Sequence, residues 1–141
     1  MSGKILVVDD SPEIQELLGL LLQEEGHEVS KVGDAAGLND AFRGAQPDLV
    51  LLDLKLPDAD GLDLLPLIKK QWTDTEVIVL TGNATFEAAV EATKRGAYGF
   101  QNKPFESKSL LVAVDRALEH KRQTYEASAL RQALSTMVGG A

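Results

Sequence analysis

Short apolar runs alternate with amphipathic stretches along the chain. The runs Lys4–Val8, Glu28–Val32, Asp48–Leu52, Glu76–Leu80 and Tyr98–Gln101 have the length and aliphatic content of strands. Between them, apolar residues recur at helical spacing over Pro12–Glu25, Ala35–Ala45, Leu62–Gln71 and Ala84–Arg95. Ser11-Pro12 is a helix start: a capping hydroxyl, then a residue whose missing N–H is not needed in a first turn. Gly26 and Gly96 stand where the first and fourth helices should stop. Strand and helix in regular alternation predict an α/β fold, a parallel sheet with helices on both faces. Ile5–Val8, Leu49–Leu52 and Val77–Leu80 are nearly unbroken apolar runs, so they are expected at its centre, buried from both sides. His27–Val32 alternates, which suits an edge strand.

The last segment breaks this rhythm. A helix is predicted from Glu106, with neither proline nor glycine before Met137. Its first half carries Leu110, Leu111, Val114, Ala117 and Leu118, a stripe fit to pack on the sheet. Its second half is more polar, with Ala127, Leu130, Leu134 and Met137 in a thin stripe. Such a stripe has two readings, a helix seeking a partner helix or a frayed tail.

Composition sets the broad class. The 141 residues are 44% hydrophobic and 26% charged, the profile of one globular domain. There is no cysteine, which removes disulfides, thiolate metal sites and cysteine nucleophiles, and fits a reducing, cytoplasmic setting. Fourteen basic against 22 acidic residues leave a formal charge of −8, which argues against direct binding of nucleic acid or of an anionic membrane surface. Ile5–Val8 runs into Asp9-Asp10 and is too short for a signal peptide. The Leu17–Leu22 stretch is too short to span a bilayer. Asn83-Ala84-Thr85 matches a glycosylation sequon and is read as chance.

Candidate chemistry lies at the strand ends. In an open parallel sheet, ligands bind outside the carboxyl ends of the strands. Asp9 and Asp10 follow the first strand, Asp53 the third, Thr81 the fourth and Lys103 the fifth. Singly, such acids are ordinary helix or turn caps. Together with a lysine at another strand end, they predict a site at one edge of the sheet. Clustered carboxylates repel unless a cation sits among them, and an all-oxygen set selects a hard ion, Mg²⁺ first. The loop Asp9-Asp10-Ser11-Pro12 is acidic and lacks glycine, and neither GxGxxG nor GxxxxGK[ST] occurs, so dinucleotide and P-loop readings fail. His27 and His120 lie away from the carboxyl edge, so a hydrolytic triad is unsupported.

Asp9-Asp10, Asp53-Leu54-Lys55-Leu56-Pro57 with Gly61, Leu80-Thr81-Gly82 and Lys103-Pro104-Phe105 together resemble the receiver domain of two-component response regulators. The resemblance runs from residue 4 to about 120, with every motif in order. It implies a doubly wound, flavodoxin-like five-stranded parallel sheet in the order 2-1-3-4-5, with an extended C-terminal linker helix. It implies that Asp53 accepts a phosphoryl group from a sensor histidine kinase. It further implies Mg²⁺ held by Asp10, Asp53 and the backbone carbonyl of Lys55, with Asp9 acting through water. Lys103 would pair with a phosphoryl oxygen, and the Lys103–Pro104 bond would be cis. Thr81 would be the switch hydroxyl, Gly82 would leave the approach open, and Phe100 would be the switch aromatic. The moving element would be the fourth helix with the strand and helix after it. Gly99 departs from the family pattern, in which an acidic residue is common between aromatics at the positions of Tyr98 and Phe100.

Thr81–Ala92 and the charged helix after Leu118 resemble NtrC-type regulators, whose receiver is linked to an ATPase that activates sigma-54-dependent transcription. On that reading residues 1–121 are the receiver and residues 122–141 a helical linker, cut from a longer protein. The downstream ATPase and DNA-binding domains are absent from this chain. A homodimer is expected, with Leu118, Tyr125, Leu130 and Leu134 as dimerisation residues. The alternatives are a stand-alone receiver that signals by protein–protein binding and a small Mg²⁺-dependent phosphatase using Asp53.

Overall fold

The computed structural model describes residues 2–139. Five parallel strands, β1 (Lys4–Val8), β2 (Glu28–Val32), β3 (Leu49–Asp53), β4 (Glu76–Thr81) and β5 (Gly99–Asn102), form one sheet in the order β2-β1-β3-β4-β5. The helices are α1 (Pro12–Glu24), α2 (Ala35–Ala41), α3 (Gly61–Gln71), α4 (Phe86–Lys94) and α5 (Ser107–Gly139). The parallel sheet with helices on both faces is the one expected from the alternation of elements, and its doubly wound order is the one implied by the family resemblance. β1, β3 and β4 are central and β2 is an edge.

Alternation within the strands divides the core into two layers. Leu6, Val8, Val50, Leu52, Val77 and Val79 face one way and pack with Leu38 of α2, Leu65 and Ile68 of α3, and Ala92 of α4. Ile5, Val7, Leu49, Leu51, Ile78 and Leu80 face the other way, against Leu18 and Leu22 of α1 and Leu110, Val114, Ala117 and Leu118 of α5. Each aliphatic side chain taken fully out of water there stabilises the fold by about 1.5–3 kcal/mol before entropy is counted.

The helix boundaries follow local chemistry. The Ser11 hydroxyl accepts from the Ile14 N–H at 3.3 Å and opens α1. Gly26 and Gly96 adopt φ of +89° and +108°, the left-handed region in which glycine pays no Cβ penalty. Two helices are shorter than the periodicity predicts by more than one residue. α2 ends at Ala41 rather than Ala45, because Arg43 and Gly44 donate three residues back and tighten the last turn. α4 starts at Phe86 rather than Ala84, because the Thr85 hydroxyl caps it by accepting from the Ala88 N–H at 3.0 Å.

α5 is a single helix of 33 residues. Its last attachments to the body lie at the start of β3 and β4. Lys121 Nζ donates to Asp48 at 2.8 Å, and His120 Nδ1 lies 3.0 Å from Glu76. From Arg122 to Met137 every residue is exposed. Leu118, grouped above with the dimerisation residues, is buried in this chain's own core against Gly3, so its apolar surface is already used. Tyr125, Leu130 and Leu134 are exposed. Among the described residues no helix is long and apolar enough to cross a membrane.

Candidate functional site

The parallel register brings the strand ends together. β1 and β3 pair from Ile5–Leu49 to Val8–Leu52, so Asp9 and Asp53 lie side by side just past the last pair. Asp53 is itself the last residue of β3, opposite Leu80, and Thr81 follows on β4. Thr81 pairs with Asn102 on β5, which delivers Lys103 to the same edge. Residues far apart in sequence thus meet because each directly follows a strand.

Asp9, Asp10 and Asp53 each offer a carboxylate oxygen within 4.8 Å of the others. Asp9 and Asp53 are buried and Asp10 is exposed. Charges that close repel by on the order of a few kcal/mol, so the cluster needs a cation. Lys103 supplies one: its ammonium donates to Asp9 and, at 3.1 Å, to Asp53 Oδ2. Burial alone would lower the Lys103 pKa, but the two carboxylates outweigh it and hold the ammonium above the ordinary lysine range. The remaining carboxylate oxygens are tied to their own loops. Asp9 Oδ1 accepts from the Ser11 N–H at 2.9 Å, and Asp53 Oδ1 from the Lys55 N–H at 3.2 Å. The donor set is all oxygen and fits a hard divalent cation, Mg²⁺ first.

An open cleft of about 570 Å³ lies over this cluster, lined by Asp10, Asp53, Lys55, Thr81, Gly82, Asn83 and Lys103. The Thr81 hydroxyl is buried and accepts from the Asn83 N–H at 3.2 Å. A Cβ added at Gly82 would meet only Lys103 Cβ, 4.0 Å away, so the space above Gly82 is free. The Lys103–Pro104 peptide bond is cis. Phe100 is half-buried on β5 and packs on the core layer beneath α3 and α4, opposite Val79 and two residues before the Thr81–Asn102 pair. Tyr125, Leu130 and Leu134 lie on the exposed part of α5 and belong to a different region from the acidic cluster.

Several residues that shape the site are silent in the sequence. Gln15 of α1 donates to the Asp9 carbonyl at 2.6 Å and to Val32 at 3.3 Å, anchoring the acidic loop to the end of β2. Asp58 accepts from the Ala35 and Ala36 N–H groups at 2.8 and 3.1 Å, which ties the loop after Asp53 to the start of α2. Those backbone bonds hold the Asp58 carboxyl below the usual carboxylate range. Gly61 is required for a close approach: a Cβ there would stand 2.5 Å from the Asp53 carbonyl oxygen. Gly61 stands in a motif and was legible as a position; the contacts of Gln15 with Val32 and of Asp58 with Ala35 and Ala36 join separate elements and were not.

An aspartate cluster bridged by a lysine at the carboxyl edge of a 2-1-3-4-5 sheet defines a class, and comparison with known proteins agrees. Residues 5–115 match the response regulator receiver domain, and the chain belongs to that family. It is 39% identical to the nitrogen assimilation regulatory protein NtrX of Azorhizobium caulinodans, over 99% of this chain and 32% of that protein. It is 35% identical to the DNA-binding transcriptional regulator NtrC of Proteus hauseri, over 99% of this chain and 30% of that protein. The crystal structure of NtrX from Brucella abortus superposes with a TM-score of 0.87 at 41% identity, covering 93% of this chain and 30% of that one. The chain therefore spans about a third of the length of these relatives.

Proposed function

We propose that this chain is a phosphorylation-controlled receiver in which Asp53 takes a phosphoryl group from the phosphohistidine of a sensor histidine kinase. The observation that carries this reading is the Asp53 carboxylate itself. It ends a central strand, is bonded to Lys103, is flanked by Asp9 and Asp10, and borders a cleft open to solvent. An Asp53 oxygen attacks phosphorus, the phosphorus–nitrogen bond breaks in line, and the imidazole leaves with the bonding electron pair. Asp10, Asp53 and the Lys55 carbonyl would hold Mg²⁺, with Asp9 reaching it through water. An ion bound there would supply positive charge to the phosphoryl oxygens. Lys103 transfers its hydrogen bond from the Asp53 carboxylate to a phosphoryl oxygen. The Thr81 hydroxyl, now an acceptor for Asn83, turns to donate to another. That turn draws the loop before α4, and Phe100 follows on β5. Gly82 leaves the approach clear.

In this reading residues 1–121 are the receiver and residues 122–141 a linker. The chain works in the cytoplasm as a homodimer through the exposed Tyr125, Leu130 and Leu134. It controls an ATPase and DNA-binding output of the NtrC type, and so transcription. The relatives that support this output are named as transcriptional regulators.

The test is intact mass after incubation with acetyl phosphate and Mg²⁺, quenched in acid. Wild type gains one phosphoryl group labile to hydroxylamine; Asp53→Asn gains none, and removing Mg²⁺ with a chelator suppresses the adduct in wild type. An unmodified wild-type chain would sink the phosphoacceptor role.

A further inference from the structure

Helix α3 carries a proline in its interior. Pro66 has no N–H, so the Leu62 carbonyl, four residues earlier, lacks its intrahelical donor. A sheltered carbonyl without a donor costs free energy, and native folds fill such vacancies. Here the donor comes from another helix. Arg95 Nη1 donates to the Leu62 carbonyl at 2.8 Å and lies 3.2 Å from Asp63 Oδ1, while Nη2 is 3.6 Å from Glu91. Arg95 is the C-cap residue of α4. The gap left by a proline in α3 is thus closed by the end of α4.

The same end of α4 has two more attachments. Ala92 is fully buried in the core. Gly96 lies against the aliphatic stem of Lys69 on α3, where a Cβ would come within 3.0 Å of Lys69 Cγ. The other end is held far less. Phe86 is 81% exposed. Beside Thr85 and Ala88 lies a cavity of about 350 Å³, walled on its far side by Leu54, Leu56 and Leu62 and bordered by Thr81. One end of the helix is pinned and the other borders empty space.

We propose that Arg95 is the positioning residue of α4: it replaces the N–H that Pro66 removes from α3 and so makes the C-terminal end of α4 a fixed hinge, leaving the end beside Thr81 to move. The hinge is built from contacts within this chain alone. Its use in signalling rests on the function proposed above.

A double-mutant cycle on the whole chain, read by amide hydrogen exchange and urea unfolding, tests this. The Ala89 and Arg95 amides are both hydrogen-bonded, to Thr85 and Glu91, so their exchange compares the two ends of α4. In wild type the Arg95 amide exchanges more slowly than the Ala89 amide. Arg95→Ala accelerates the position-95 amide by about tenfold, as expected for losing one charge-assisted hydrogen bond. In the Pro66→Ala background, residue 66 has an N–H to offer Leu62, and the acceleration falls several-fold. Asp63→Asn, which spares the carbonyl contact, has little effect. An equal acceleration in both backgrounds would overturn the proposal, because Arg95 would then act through its acidic neighbours alone. So would a wild-type Arg95 amide that exchanges as fast as Ala89. Should Arg95→Ala not fold, Arg95→Lys carries the same comparison, since an ammonium cannot reproduce the planar donor fork. No phosphoryl group enters these readouts. A chain that forms no Asp53 adduct would defeat the phosphoacceptor reading and leave the hinge to be judged on exchange alone.

Discussion

Asp9, Asp53 and Lys103 show how single residues combine chemistry with stability. Burial disfavours the Lys103 ammonium, but the two carboxylates favour it more, so its pKa lies above the ordinary lysine range. The stability it contributes is complete below that range and is lost only as pH rises through the folded-state value. His27 has the opposite sign. Its ring is buried, Nδ1 accepts from the Gly3 N–H at 3.1 Å and Nε2 has no partner among the described residues. Burial lowers its pKa below 6.5, against the opposing pull of Asp115 and Glu25. The neutral ring therefore stabilises the fold fully above pH 6.5, and that contribution declines as pH falls from 6.5 toward the folded-state value. Urea midpoints between pH 8 and pH 5 should fall for wild type and flatten over this window in His27→Asn. At Gly61 the constraint is steric. Gly61→Ala would drive a methyl group into the backbone at Asp53, so a loss of about 2 kcal/mol or more is expected in urea unfolding. An unchanged midpoint would show that the loop relaxes freely. Asp53, Asp9, Asp10, Thr81 and Lys103 were legible as strand-end residues. Gln15, Asp58 and Arg95 were not, because their work is done by hydrogen bonds to partners fixed only by folding.

At the scale of elements, periodicity located all ten and gave the observed bounds of β1 and β2, while the others differ at one or both ends by one to four residues. The ends are decided by individual hydrogen bonds, such as the Thr85 cap and the short-range bonds after Ala41, which hydropathy does not register. α5 holds the most informative division. Up to Lys121 it is bound to the sheet through Leu110, Val114, Ala117 and Leu118 and through the Asp48 and Glu76 contacts. From Arg122 to Met137 nothing among the described residues covers it. At protein concentrations low enough that both are monomeric, a chain ending at Lys121 should accordingly match the full chain in unfolding free energy within about 0.5 kcal/mol. A large loss would mean that the exposed helix contributes to the receiver core.

For the whole molecule, the exposed stripe of Tyr125, Leu130, Leu134 and Met137 leads to a concentration-dependent prediction. The full chain should sediment as a dimer at micromolar concentration, and the chain ending at Lys121 as a monomer. A full chain that stays monomeric with and without beryllofluoride would remove the linker from the association mechanism. What the sequence determined by itself is the succession of strands and helices, the central and edge strands, and the acids, hydroxyl and lysine that follow the strands. These are local properties: apolar periodicity, turn chemistry and the position of a side chain relative to a strand end. Which groups share a contact is settled only when the elements pack in three dimensions. The Lys103 ammonium between Asp9 and Asp53, the Asp58 tie to α2, the burial of Leu118 and the Arg95 donor at the Pro66 break all join elements distant in the chain. Their distances are set by how strands register and helices pack, and a pattern read along one dimension does not contain them.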